Sequence, residues 1–159
     1  MKLPNGVEWA LHCCVTLSQS GQPVPAARLA HLHGVPPAYL AKHLQALSRA
    51  GIVISSEGQA GGYALTRSAA RISVLDVVQA IDGTQQAYRC AEIRRRGPLA
   101  VPADQCARPC AIARAMAAAQ EAWSEALAAT SIADLAARID ADSDGTAMAD
   151  VRGWLTVVG

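Results

Sequence analysis

Residues 52–66, IVISSEGQAGGYALT, break the period of everything before them. Two short β-type runs flank a Gly-rich turn, the signature of a hairpin. The three segments ahead of it repeat their apolar residues at helical spacing instead. In NGVEWALHCCVTLSQ, residues Val7, Ala10, Leu11, Cys14 and Leu17 form one stripe, which leaves Glu8 and His12, one turn apart, off the apolar face. In VPAARLAHLHGV, Pro25 suits a first helical turn and Gly34 a C-terminal cap. In PPAYLAKHLQALSRAG, the stripe is Leu40, Leu44 and Leu47, and Gly51 closes the run.

Helix–helix–helix–hairpin is the order of a winged helix-turn-helix. It sends the third helix to the DNA major groove and the hairpin alongside as the wing. The remaining chain is again helical. Ser73 is a plausible N-cap for ISVLDVVQAIDG, in which Val74, Val77, Val78 and Ile81 repeat and Gly83 stops the helix. A long Ala-rich helix is expected from about Arg108 to about Ala129, with Ile112, Met116, Ala119, Trp123 and Leu127 along one line. SIADLAARID follows as a short helix with Ser131 and Asp134 in capping-box positions. The expected fold is therefore mostly α with a small β-hairpin wing: a winged helix-turn-helix over 1–83, a cysteine-bearing loop over 84–110, a long dimerisation helix with its short successor over 108–140, and a tail of loop signals with a short apolar end over 141–159.

Net charge is +1, but residues 1–71 carry six basic against two acidic side chains, while the rest has eight Arg against eleven acids. A basic first half suits a polyanion. The candidate DNA contacts are Arg28 on the second helix, Tyr39, Lys42, His43, Gln45 and Ser48 on the third, Arg49 at its end, and Ser55, Ser56, Gly58 and Arg67 on or beside the wing. The bland alternative is a solvated helix face. A long helix with Met116 and Trp123 on its stripe needs a cover. A homodimer on a pseudo-palindromic double-stranded operator supplies one, and a hairpin with the last helix is the alternative. No apolar run is long enough to span a bilayer, and the start lacks the apolar core of a signal peptide, so a cytoplasmic protein is expected.

That location bears on the five cysteines. Cytosolic thiols stay reduced, and an odd count does not fit a fully paired disulfide framework. Cys13 and Cys14 sit on the first helix and are expected in the core. Cys90, Cys106 and Cys110 lie on the loop YRCAEIRRRGPLAVPADQCARPC, where thiolates could hold metal. Spacing favours all three, with Glu8 completing the set.

The chain resembles the bacterial BadM/IscR/NsrR-type winged-helix regulators over all but about its last twenty residues. The resemblance rests on LAHLHGVPPAYLAKHLQALSRAGIV, the wing SSEGQAGGYALTR, ISVLDVVQAIDG, and the cysteine segment opening into the long helix. It implies a homodimeric transcription factor, not an enzyme, and in the redox-sensing members a [2Fe–2S] cluster. It also implies a different ligand set: Glu8 and His33 from one subunit with Cys90 and Cys110 from the other, since Ala113 stands where some relatives place a His. Cys106 is then the alternative ligand. Imidazole and carboxylate among the ligands shift the potential, as in Rieske-type sites. Trp9, beside Glu8, is expected to respond to the cluster's charge and pass the change through the first helix to the third; simple core packing is its alternative. Relatives carry an Arg before the first Gly of the wing. Here Glu57 stands there, and a carboxylate is repelled by phosphate, which leaves Arg49 and Arg67 to supply such contacts.

The leading expectation is thus a DNA-binding repressor switched by the redox state of a [2Fe–2S] cluster. A regulator of the same fold answering through thiol–disulfide exchange or nitric oxide is the rival. A structural zinc module or a thiol enzyme stands further off, because no His neighbours the loop cysteines.

Overall fold

The computed structural model describes residues 3–58 and 61–157. The three expected helices are α1 (Asn5–Ser18), α2 (Ala26–His33) and α3 (Pro37–Arg49). Cys13, Cys14, Leu29, Leu40, Leu44 and Leu47 are fully buried between them. Each buried Leu contributes about 1.5–3 kcal/mol. Gly34, at φ 61°, caps α2 in the left-handed conformation that glycine adopts freely. Gly6 is buried where α1 meets α3, and a Cβ there would collide with the His43 ring.

The wing is an antiparallel pair, β1 (Val53–Ser56) and β2 (Gly62–Leu65), with Val53 opposite Leu65 and Ser56 opposite Gly62. Its second strand is tied to the segment just before α2: Val24 and Tyr63 exchange backbone hydrogen bonds of 2.9 and 2.8 Å. The wing positions Gln59 and Ala60 lie outside the described residues.

The next helix is α4 (Val74–Asp82), and the long helix is α5 (Ala111–Ala128), starting later than expected because Pro109 and Cys110 precede its first turn. Beyond it, α6 (Ile132–Asp142) begins beside α4. Val74 N–H donates to Thr130 O and Ile132 N–H to Ile72 O, both at 2.8 Å, and Ile72 and Ile132 are fully buried. Both helices open on a complete capping box, Ser73–Asp76 and Ser131–Asp134.

The chain divides into two compact units, Thr84–Ala126 and Lys2–Gly83 with Leu127–Gly159. This departs from the expected grouping of 108–140. Ile132 and Ala136 commit α6 to the same core as α1, so it does not travel with the long helix. The tail also differs. A helix, α7 (Ala147–Val157), occupies most of it, started by Asp140 Oδ1 accepting the Met148 N–H at 2.9 Å and anchored by buried Met148. Its apolar residues were too few to give a periodic signal alone. They pack because α6 supplies the facing surface. Among the described residues no helix is long and apolar enough to cross a membrane.

Candidate nucleic-acid interface and thiol pair

The buried Leu stripe of α3 turns the opposite face outward. Tyr39 is 58% exposed, and Lys42, Gln45 and Arg49 are exposed. Lys42 Nζ lies over the Tyr39 ring, 5.3 Å from its centroid, so the two form one preset polar unit. His43 is half-buried. Burial and then the Lys42 charge lower its pKa, favouring neutral imidazole. On the wing, Ser55, Ser56, Glu57 and Gly58 are exposed.

Two of the expected DNA-facing arginines are engaged inside the fold. Arg67 donates to Arg71 O and Gly51 O at 3.0 Å each and pairs with Asp76 at 3.4 Å, fastening the end of the wing to α3 and α4. Arg28 donates to Trp154 O and Leu155 O of α7. Arg49 remains exposed.

Trp9 is half-buried and stands edge-on to two α3 residues: His43 at 5.7 Å between centroids and Tyr39 at 6.4 Å. Its ring therefore joins α1 to the exposed face of α3. One turn on, exposed Glu8 and His12 line a mostly apolar groove of about 490 Å³ whose walls include Val7, Leu11, Leu135 and Ile139. His33 reaches this side from α2. Its Nε2 is 3.2 Å from Thr16 Oγ1, and its ring tilts against His12 at 5.7 Å. Burial, and then the His12 charge, lower its pKa, so the lone pair is available to an electrophile. His12, expected at the surface or the core edge, is exposed, lines the groove with Glu8 and packs against the His33 ring. Nothing in its sequence position signals this.

The other unit holds the loop cysteines. Cys110 sits just before α5, and its Sγ accepts the Ala113 N–H at 3.3 Å. That bond, then the Ile112 N–H, the Arg94 charge and the nearby Cys90 side chain lower its pKa, against burial, which raises it. Stabilised thiolate is what a soft-metal ligand or a nucleophile needs. Cys90 and Cys110 are therefore neighbours. Cys106 lies on a separate 3₁₀ turn, Ala103–Cys106, and makes its electrostatic contact with Arg94. Arg94 belongs to the basic run RRR at 94–96, which the sequence offers as a phosphate contact or as a screen for the cysteine loop. It forks onto Glu92, donates to Arg108 O at 3.0 Å, and accepts the Val101 N–H at its own carbonyl, closing the loop on itself. Among the described residues of one chain, no three His, Cys, Asp or Glu side chains converge as a metal site.

No residue of α5 is buried: Ile112 is 63% and Met116 41% exposed, Ala119 is exposed, and Trp123 and Leu127 are half-buried.

The sequence pattern of the Rrf2 family, described as an iron-dependent transcriptional regulator, matches residues 3–138. The HTH-type transcriptional regulator IscR of Xenorhabdus nematophila is 41% identical over 73 residues, 46% of this chain and 44% of that protein. The chain thus spans less than half the length of that relative. The structure of CymR, the global cysteine regulator of B. subtilis, is similar at a TM-score of 0.67 with 21% identity, covering 87% of this chain and 98% of that one. T. potens IscR is similar at 0.61 with 20% identity, covering 85% of each. At these identities the two structures establish the winged-helix fold alone.

Proposed function

The chain belongs to the Rrf2 family of transcriptional regulators, and from that premise we propose that it is a homodimeric DNA-binding repressor switched by the redox state of a [2Fe–2S] cluster. Glu8 and His33 of one subunit and Cys90 and Cys110 of the other are the ligands in this reading, with Cys106 outside the set. The observation that carries it is the Cys90–Cys110 pair, held at the start of α5 with Cys110 biased toward thiolate. A thiolate pair supplies half of a four-ligand set. The neutral His33 and the exposed Glu8 carboxylate, on the DNA-binding body, fit the other half.

A bound cluster supplies a one-electron redox centre. The chain's own residues do the rest. Glu8 sits next to Trp9, whose ring edges touch Tyr39 and His43. A change of charge at Glu8 and His33 acts on α1, and Trp9 is the contact through which α1 bears on the face of α3. Tyr39, Lys42, His43, Gln45 and Arg49 then read or grip DNA, with Ser55, Ser56 and Gly58 on the wing. The uncovered line of Ile112, Met116, Ala119, Trp123 and Leu127 supports a second copy as the cover for α5. The domain reading that goes with this is a DNA-binding body, a ligand loop over 84–110 and a dimerisation helix.

A second reading has its own support. Two thiols near one another, one with a lowered pKa, also suit disulfide formation on oxidation. One experiment separates the two. Protein purified without oxygen is assayed for iron and acid-labile sulfide, and DNA upstream of its own gene is shifted with oxidised, reduced and metal-free protein. Iron and sulfide with redox-dependent shifting support the cluster. Their absence, with dithiothreitol-sensitive shifting, supports the disulfide.

A further inference from the structure

The family match ends at residue 138, yet α7 lies beyond it and is seated on the helix-turn-helix. Its side chains are specific about where. Trp154 stacks against His31 of α2 at 6.2 Å and 23°. The Arg28 guanidinium lies 4.9 Å from the Trp154 ring centroid. One Arg28 nitrogen, Nη2, donates to Trp154 O at 2.9 Å and to Leu155 O at 3.0 Å. Arg152 Nη1 donates to Gln19 Oε1 at 2.7 Å, fixing α7 to the end of α1 as well.

The physical sense is plain. Carbonyls in the last turn of a helix lack intrahelical partners and carry the negative end of the dipole, so a guanidinium there is favoured. Arg28 is also the one Lys or Arg on α2. In helix-turn-helix proteins this first helix crosses the phosphate backbone, which makes a cation in its first turn a natural phosphate ligand. Here that cation is spent on α7. The arrangement is incomplete, because Arg28 Nε is buried with no hydrogen-bond partner. An unmet donor penalises the docked state, whereas a phosphate offers a guanidinium two parallel bonds.

We propose that α7, through Trp154, sets the ionic footprint of the protein on DNA: it withdraws Arg28 from the phosphate-binding set, and displacing α7 adds one phosphate contact per chain. This rests on the reading that α2 and α3 lie on DNA. The test is the salt dependence of binding to a mixed-sequence DNA duplex, measured by fluorescence anisotropy on the full chain. W154A is expected to steepen the slope of log affinity against log salt by about 0.9 per chain. The double variant R28Q/W154A returns to the wild-type slope. R28Q in the intact chain also keeps the wild-type slope, since its cation is already withdrawn. An unchanged slope in W154A, or a slope lowered by about 0.9 in R28Q alone, overturns the proposal. Should W154A lose its helical circular dichroism, R28Q decides by itself. If wild-type protein fails to bind any duplex, the DNA-binding reading fails first and takes this inference with it.

Discussion

Leu40, Leu44 and Leu47 on α3 are wholly shielded from water, while α5, a longer helix, has no fully buried residue. The cysteines divide the same way. Cys13 and Cys14 are sealed in the body, and Cys90 is exposed on the loop. The difference teaches that apolar composition does not decide where a side chain goes. Among its described residues the body has six helices, α1–α4, α6 and α7, packed on one core. The other unit has one long helix and a loop that braces itself through Arg94; Ala87, Tyr88 and Cys90 line a groove with Met116 and Ala119 but leave both exposed.

Thiol chemistry sharpens this comparison most. Burial pushes the Cys13 thiol up to about 12 and raises Cys14 as well. The lowered pKa of Cys110 means thiolate appears there at lower pH than in an ordinary thiol. In reduced, metal-free protein, iodoacetamide followed by peptide mass spectrometry is expected to label Cys110 first, with Cys13 and Cys14 protected until urea unfolds the body. Early labelling of Cys13 would break the contrast.

Substitutions in the two helices come next. Leu44→Ala is expected to cost about 2–5 kcal/mol in urea unfolding, through lost burial and the cavity left behind. Ile112→Ala in monomeric protein is expected to fall within about 0.5 kcal/mol of wild type, as for a surface position. Comparable losses would mean that α5 is covered within its own chain.

Met116→Asp then tests what covers it. If a second copy does, placing a carboxylate on that line forfeits about 1.5–3 kcal/mol of burial and weakens the dimer roughly tenfold to a hundredfold. Sedimentation equilibrium reads this directly. Unchanged association would remove α5 from the interface.

These tests also mark what the sequence could and could not disclose. The stripes of α1, α3 and α4, the Gly34 cap and the Gly-rich hairpin depend on residues a few positions apart, and period and turn chemistry expose such features. Ser131 with Asp134 is the same kind of signal. Arg28 and Arg67 read as DNA contacts because they are basic and close to the motif. Their actual partners, the Trp154 and Leu155 carbonyls for Arg28 and Gly51, Arg71 and Asp76 for Arg67, are set by tertiary packing. The same holds for His12 against His33, whereas the resemblance already pairs Cys90 with Cys110. From the residues alone, the candidate site was legible as residue types and illegible as neighbours.

The smallest expected effect comes from comparing how α5 and α6 begin. Ser131 Oγ accepts the Asp134 N–H at 3.1 Å, and Cys110 Sγ accepts the Ala113 N–H at 3.3 Å, both three residues on. One cap is a hydroxyl serving stability, the other a thiol with chemistry to do. In the first, the Ser131 hydroxyl and then the Ser131 backbone N–H hold the Asp134 carboxyl below its ordinary range. Its folded pKa is thus lower than its unfolded one, so the folded state binds fewer protons at mildly acidic pH. The stabilisation is present above the unfolded carboxylate pKa and is lost as pH falls through the folded value. Asp134→Asn should therefore lower the urea midpoint at pH 7 and approach wild type as pH falls through the folded value. A deficit that stays constant with pH would mean the carboxylate's charge contributes nothing and the cap acts by shape and neutral hydrogen bonding alone. Cys110→Ser supplies the counterpart: a hydroxyl can keep the bond to Ala113 N–H and hence the start of α5, but it abolishes the thiolate, so helix content is expected to survive while iron binding or disulfide formation is lost.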